Sequence, residues 1–217
     1  MAYTGKVRPG GPADVRELPQ LIVSKISVGP MDNDAYLLRC RVTGEQILVD
    51  AADEPDRLLD LVGPDGLVGI VTTHRHGDHW QALGDVVKAT GARTFAHPLD
   101  APAIPVETDV FLEDGDRLRF GAVELAAIHL VGHTPGSVAL VYDDPEGFPH
   151  VFTGDCLFPG GVGRTTSPEE FRTLFRGVSE KVFGALPDET WVYPGHGDDT
   201  TLGAERPNLA EWAERGW

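Results

Sequence analysis

The stretch Ile70-Val71-Thr72-Thr73-His74-Arg75-His76-Gly77-Asp78-His79 decides how this chain is read. A short β-branched run ends in a dense group of imidazoles with one carboxylate among them. In an extended segment His74 and His76, at i and i+2, point to the same side and can grip one cation. Gly77 turns the chain and redirects Asp78 and His79 toward a neighbouring position. One segment therefore offers ligands to two ions. Three more segments share its character, a strand end running into a turn: Leu130-Val131-Gly132-His133-Thr134-Pro135-Gly136-Ser137, Val151-Phe152-Thr153-Gly154-Asp155 and Trp191-Val192-Tyr193-Pro194-Gly195-His196-Gly197. Strand ends project side chains from a rigid scaffold into clefts lined by loops, where ligands gather in open α/β architectures. Imidazole and carboxylate donors suit zinc, iron or manganese.

Working outward, short apolar runs recur at residues 21–28, 35–40, 46–49, 67–72, 93–96, 123–128, 137–142, 150–152 and 190–193, punctuated by turns such as Glu113-Asp114-Gly115-Asp116. Helical patterns lie between them. Asp53 is placed to cap a helix carrying Leu58, Leu59 and Val62. A second helix is expected from about Asp78 to Thr90, with Trp80, Leu83 and Val87 on one face. A third begins at Ser167, with Pro168 at the first helical position and Glu170 completing a capping box, and ends at Gly184. Helices alternate with strands, so the predicted class is α/β. Residues 1–20, rich in Pro, Gly and charge, are expected as a loose leader, and residues 21–217 as one domain.

Composition narrows the function. The chain has 217 residues, 41% of them hydrophobic and 24% charged, enough for one sizeable core. No apolar run approaches the roughly 20 residues that cross a bilayer, and no signal-like segment opens the chain. A cytoplasmic protein with no membrane partner is expected. Acidic residues number 34 against 18 basic ones, a formal charge of −16. Such a surface repels phosphate backbones, which argues against nucleic acid and for a small-molecule substrate. Cys40 and Cys156 form no CxxC pair and are expected as buried, reduced thiols. Oligomeric state has no signature here.

Each chemical segment also has an ordinary reading. Asp78, with Gln81 three residues on, suits a helix cap; His133 suits a turn, Asp155 an Asx-turn and His196 a flexible loop. Their order and company favour a shared site, because four independent coincidences would otherwise be needed. His97, His129 and His150 lack such company and are expected to be structural.

Taken together, the motifs HxHxDH (His74–His79), GHTPGS (Gly132–Ser137), TGD (Thr153–Asp155) and PGH (Pro194–His196) resemble the metallo-β-lactamase superfamily. The resemblance implies an αββα sandwich of two mixed sheets flanked by helices, with a metal site at one edge. It implies that His74, His76 and His133 hold a first divalent ion, that Asp78, His79 and His196 hold a second, and that Asp155 bridges them. Zinc is the first expectation, with iron or manganese as alternatives. Within the superfamily the chain is most similar to glyoxalase II and its short bacterial relatives, through Gly154-Asp155-Cys156-Leu157-Phe158, Gly163-Arg164-Thr165 and Tyr193-Pro194-Gly195-His196-Gly197. It departs from them in three ways. Trp80, Gln81 and Ala82 follow the first motif where glycines are common. Cys156 stands beside Asp155, where a Thr or small residue is usual. The helical C-terminal domain that helps glyoxalase II bind its glutathione thioester is not expected.

Two neighbouring divalent ions can bring the pKa of a shared water from about 16 to near neutrality. The expected activity is thus hydrolysis of a thioester, ester or related bond by a metal-bound hydroxide. Asp78 would orient the nucleophile as well as bind metal, and Arg164 would steer an anionic substrate group. The alternatives are a mononuclear iron persulfide dioxygenase using His74, His133 and Asp155, and a metal-binding protein without turnover.

Overall fold

The computed structural model describes residues 3–216. The first sheet is built in chain order from β1 (Asp14–Glu17), β2 (Leu21–Val28), β3 (Asn33–Cys40), β4 (Gln46–Val49), β5 (Gly69–Val71), β6 (Arg93–Ala96) and β7 (Val110–Phe111). Its pairings are antiparallel up to β4 and parallel from β4 to β7. The second sheet takes β8 (Arg117–Phe120), β9 (Val123–His129), β10 (Val138–Tyr142) and β11 (His150–Gly154). A small hairpin, β12 (Leu157–Phe158) and β13 (Gly161–Val162), follows, and β14 (Trp191–Pro194) and β15 (Thr200–Thr201) then rejoin that sheet in the order β15-β14-β11-β10-β9-β8. Only β11 and β14 pair in parallel there.

The two-residue period of the strands explains the layers. On β3, Tyr36, Leu38 and Cys40 enter the core between the sheets, while Ala35 and Leu37 face the other way. On β4, Ile47 and Val49 point inward and Leu48 outward. The outer face of the first sheet is covered by α1 (Pro55–Val62) and α2 (Leu83–Thr90), through Leu58, Val62, Leu83 and Val86. The outer face of the second is covered by α3 (Pro168–Gly177), through Phe171 and Leu174, and by Trp212. Two short helices, α4 (Leu202–Glu205) and α5 (Leu209–Arg215), complete the chain. The result is the αββα sandwich expected from the motifs. Among the described residues no helix is long and apolar enough to cross a membrane.

Local expectations fared unevenly. The leader is not loose over its described part, because residues 14–17 pair with β2 as an edge strand. The Tyr3 hydroxyl also donates to Asp199 at 2.6 Å. Asp53 does not cap α1; the residue before that helix is Glu54, in a left-handed conformation, whose N–H the Asp53 carboxylate accepts. The helix expected from Asp78 starts instead at Leu83, after a single 3-10 turn at Gly77–His79. The Asp78 carboxylate is engaged by Asn33 rather than by a helix end. Ser167 does cap α3, accepting from the Glu170 N–H at 3.2 Å, and the helix continues as a π-helical turn over Val178–Phe183 before Gly184. Trp80 packs on the α1–α2 side of the first sheet and donates to the Arg75 carbonyl.

Candidate metal centre

Four connections bring the predicted residues to one edge of the sandwich. His74, His76, Asp78 and His79 follow β5; His133 lies on the turn between β9 and β10; Asp155 follows β11 and His196 follows β14. Their ligand-type atoms converge in three overlapping groups: His74, His76 and His133; His74, His79 and Asp155; and Asp78, His79 and His196. His74 Nε2 lies 3.1 Å from His76 Nδ1 and 3.2 Å from His133 Nε2. His79 Nε2 lies 3.2 Å from His196 Nε2 and 3.3 Å from Asp155 Oδ1. The other Asp155 oxygen is 3.6 Å from His133 Nε2 and 3.5 Å from His196 Nε2. Glycine at 195 permits this closeness, since a Cβ there would collide with the Asp155 carboxylate.

The outward-facing ring nitrogens decide what the inward ones carry. His133 Nδ1 donates to the Arg164 carbonyl at 2.7 Å and His196 Nδ1 to the Met31 carbonyl at 3.0 Å. His79 Nδ1 donates to Asp50 Oδ2 at 2.8 Å. Thr73 gives its single hydroxyl proton to Asp50 Oδ2 at 2.8 Å, so its oxygen is left to accept from His74 Nδ1 at 3.0 Å. Neutral rings with Nδ1 protonated turn Nε2 lone pairs inward, the state in which imidazole binds metal. Nitrogen lone pairs 3.2 Å apart repel each other unless positive charge sits among them. Asp155 Oδ1 is also buried without a hydrogen-bond partner. The donor set fits divalent cations.

Electrostatics agree. Burial, with mutual repulsion, pushes His74, His76 and His133 below the ordinary imidazole range. Burial opposes protonation of His79 as well, but the Asp50 and Asp155 carboxylates outweigh it and hold that ring well above its ordinary value. Against burial, Asp155 and Asp78 raise His196 to about 10. The His196 contact, in turn, holds Asp78 well below the carboxylate range. Without metal, protons on His79 and His196 thus balance the two carboxylates; cation binding must displace them.

This sets a pH dependence. A raised His196 contributes stability to the metal-free chain below its unfolded pKa near 6.5, and that contribution is lost as pH rises toward about 10. Metal binding strengthens over the same window. Stabilisation by metal, read as the Tm difference between metal-loaded and chelated protein, is expected to grow from pH 6.5 to 9. At free metal a hundredfold above Kd it amounts to about 2.7 kcal/mol, or roughly 5–10 °C for a chain of this size. A difference that shrinks with rising pH contradicts the proton balance.

Three supporting residues escaped the sequence reading. Asp50, buried at the end of β4, accepts from the Thr73 N–H at 2.7 Å, the Thr73 hydroxyl and His79. It ends an apolar strand much as Asp155 does, and that signal was there to be used. Asn33 donates to Asp78 Oδ2 at 2.9 Å and forms a β-bridge with His196. Lys25 sits fully buried behind the His196 loop. Asp50→Asn is expected to weaken metal binding by about 10–100-fold, since the amide can offer His79 a donor and reverse its tautomer. Chelator competition measures this; unaltered affinity would show that the tautomers are set elsewhere.

Arg164 enters through its main chain, its carbonyl orienting His133. Cys156 is fully buried, and burial pushes its thiol well above the ordinary range, which makes it a structural thiol rather than a ligand. His97 and His129 stack on one another at 3.8 Å, outside the cluster. His150, buried against Tyr193, is pushed down to about 3, chiefly by burial.

A two-sheet sandwich with histidines and aspartates converging at one edge is a scaffold suited to holding divalent metal. Residues 28–196 match the family model of the metallo-beta-lactamase superfamily, and the chain belongs to that superfamily. It is 36% identical to a hydroxyacylglutathione hydrolase of Fuscovulum blasticum, over 76% of this chain and 62% of that protein. Among solved structures, TTHA1623 in a di-iron-bound form is 38% identical, with TM-score 0.69 over 84% of this chain and 96% of that one. ETHE1 from Myxococcus xanthus is 27% identical, with TM-score 0.75 over 88% and 84%.

Proposed function

We propose that this protein is a divalent-metal-dependent hydrolase of a small-molecule thioester or related ester, with two ions in its centre. The observation that carries the reading is the inward set of Nε2 lone pairs around the buried Asp155 carboxylate, fixed by acceptors behind His74, His79, His133 and His196. The two outer groups share no residue, and Asp155 touches rings of both. Such a layout suits two ions with a bridging carboxylate. The iron pair in TTHA1623 supports that count and makes iron as serious a candidate as zinc. The name of the Fuscovulum blasticum relative supports a glutathione thioester as the substrate class.

Divalent ions there would supply Lewis acidity, polarising a carbonyl and lowering the pKa of a bound water. The chain's own groups do the rest. Asp78, kept ionised at neutral pH and oriented by Asn33, accepts a hydrogen bond from the attacking water. Asp155 balances the cationic charge from within the cluster. Arg164, exposed between two buried residues beside His133, steers an anionic part of the substrate.

The test is metal analysis of protein purified without added metal, paired with hydrolysis of a hydroxyacylglutathione thioester. Two ions per chain with thioester cleavage support the reading. One iron per chain with oxygen uptake supports the second reading, a mononuclear dioxygenase using His74, His133 and Asp155, which the likeness to ETHE1 from Myxococcus xanthus keeps in view.

A further inference from the structure

We propose that Asp100 is a positioning residue that locks the loop of His74 and His76 to the loop of His133. Asp100 lies in the turn after β6, belongs to none of the motifs and is fully buried. Its Oδ2 accepts from the Arg75 N–H at 3.0 Å and from the Thr134 hydroxyl at 2.5 Å. Its Oδ1 accepts from the Gly136 N–H at 2.9 Å. Arg75 stands between His74 and His76, and Thr134 directly follows His133. One carboxylate therefore ties together the two loops that supply the His74–His76–His133 group.

The chemistry requires a carboxylate. Three donors converge on it from two loops, and both oxygens must accept. An asparagine of the same shape would turn an NH₂ toward at least one of those donors, leaving a buried N–H or O–H unpaired. The contact is also close: a Cβ at Gly136 would lie 2.7 Å from the Asp100 nitrogen and 2.8 Å from its Cγ. Since the Thr134 hydroxyl proton goes to Asp100, Thr134 accepts from Ser137 at 2.6 Å, which extends the lock to the start of β10. Asp100 makes no hydrogen bond to a ring nitrogen. It acts on backbone placement, whereas Asp50 acts on tautomers. The Asp78–His79–His196 group is braced independently, by Asn33, Asp50 and Lys25.

That independence gives a test that general loss of stability would not pass. The inference rests on the metal-centre reading and is measured by affinity rather than turnover. Zinc affinity is determined by chelator competition in two backgrounds: His196→Ala, which leaves the three-histidine group, and His76→Ala, which leaves the Asp78–His79–His196 group. Adding Asp100→Asn is expected to weaken zinc binding about 10–100-fold in the first background and to leave it unchanged in the second. Equal losses in both, or no loss in the first, overturn the proposal. Thr134→Val, which removes one of the three bonds, is run in parallel and decides the matter if Asp100→Asn does not fold. It is expected to give a smaller weakening confined to the first background, and equal or absent effects overturn the proposal. Failure of the unsubstituted chain to bind zinc or any other divalent ion would instead sink the metal-centre reading itself, so the two failures are distinct.

Discussion

Asp155→Ala is expected to strip the protein of metal and lower turnover by roughly 10³-fold, about 4 kcal/mol of transition-state stabilisation. Asp155 follows β11 and lies 3.3 to 3.6 Å from His79, His133 and His196, rings drawn from three separate loops. No other side chain of the cluster reaches both the His74–His76–His133 group and the Asp78–His79–His196 group with a negative charge. On the proposed reading its removal deletes a ligand and also the charge that makes a cation favourable among five imidazoles. Burial alone would raise the Asp155 pKa, yet the His196 and His79 rings hold it well below the ordinary range. It is thus ionised whenever the protein is folded near neutrality. Metal content by mass spectrometry and kcat/KM on a thioester check the expectation. Wild-type metal content in the variant would remove Asp155 from the centre.

Lys25→Met is expected to destabilise the fold by about 3–5 kcal/mol at neutral pH, because it breaks a buried charge cluster by deleting its only cation. The ammonium lies 3.0 Å from Asp34 and 2.6 Å from Asp199, all three side chains being wholly inaccessible. It also donates to the carbonyls of Gly5 and Gly197, so it fastens the chain's first described residues and the loop of His196 to β2. Burial pushes Asp34 up to about 8 and raises Asp199, and Lys25 opposes both shifts. Without Lys25 both carboxylates would move higher still. An acid whose folded pKa is raised is most favourable while protonated, and its contribution is lost as pH climbs through the folded value. The deficit of the variant should therefore narrow toward pH 5 and widen toward pH 8. Urea unfolding at the two pH values measures it, and a deficit independent of pH would contradict the charge-cluster account.

Much of the fold was legible because sheet strands carry a two-residue pattern. The strands at residues 21–28, 46–49 and 93–96 stand where apolar, β-branched runs predicted them. β1 was missed because an edge strand with one solvated face, Asp-Val-Arg-Glu, has too little apolar character to be seen. The two-residue strands β7, β12, β13 and β15 fell below any periodic signal. The helix start near Asp78 was misplaced because a capping residue and a metal-ligand residue look alike in sequence. Here the carboxylate faces Asn33 and His196 rather than a helix end.

The seven cluster residues were legible because strand ends and glycine turns mark where side chains are presented. Their supports were not, since Asp50, Asp100, Asn33 and Lys25 act across the fold, through hydrogen bonds between residues 20 to 174 positions apart. A single buried carboxylate has no spacing rule. Lys25, following Leu21 and Val23 on one face of β2, was a local contradiction whose resolution lies 174 residues away at Asp199.

The most direct test of the central claim is the number of divalent ions per folded chain, measured by elemental mass spectrometry on the protein and on His196→Ala. The account predicts two ions on the parent and one on the variant. A folded parent that carries none after exposure to zinc, iron or manganese, or a variant that retains the parent's full complement, would contradict it.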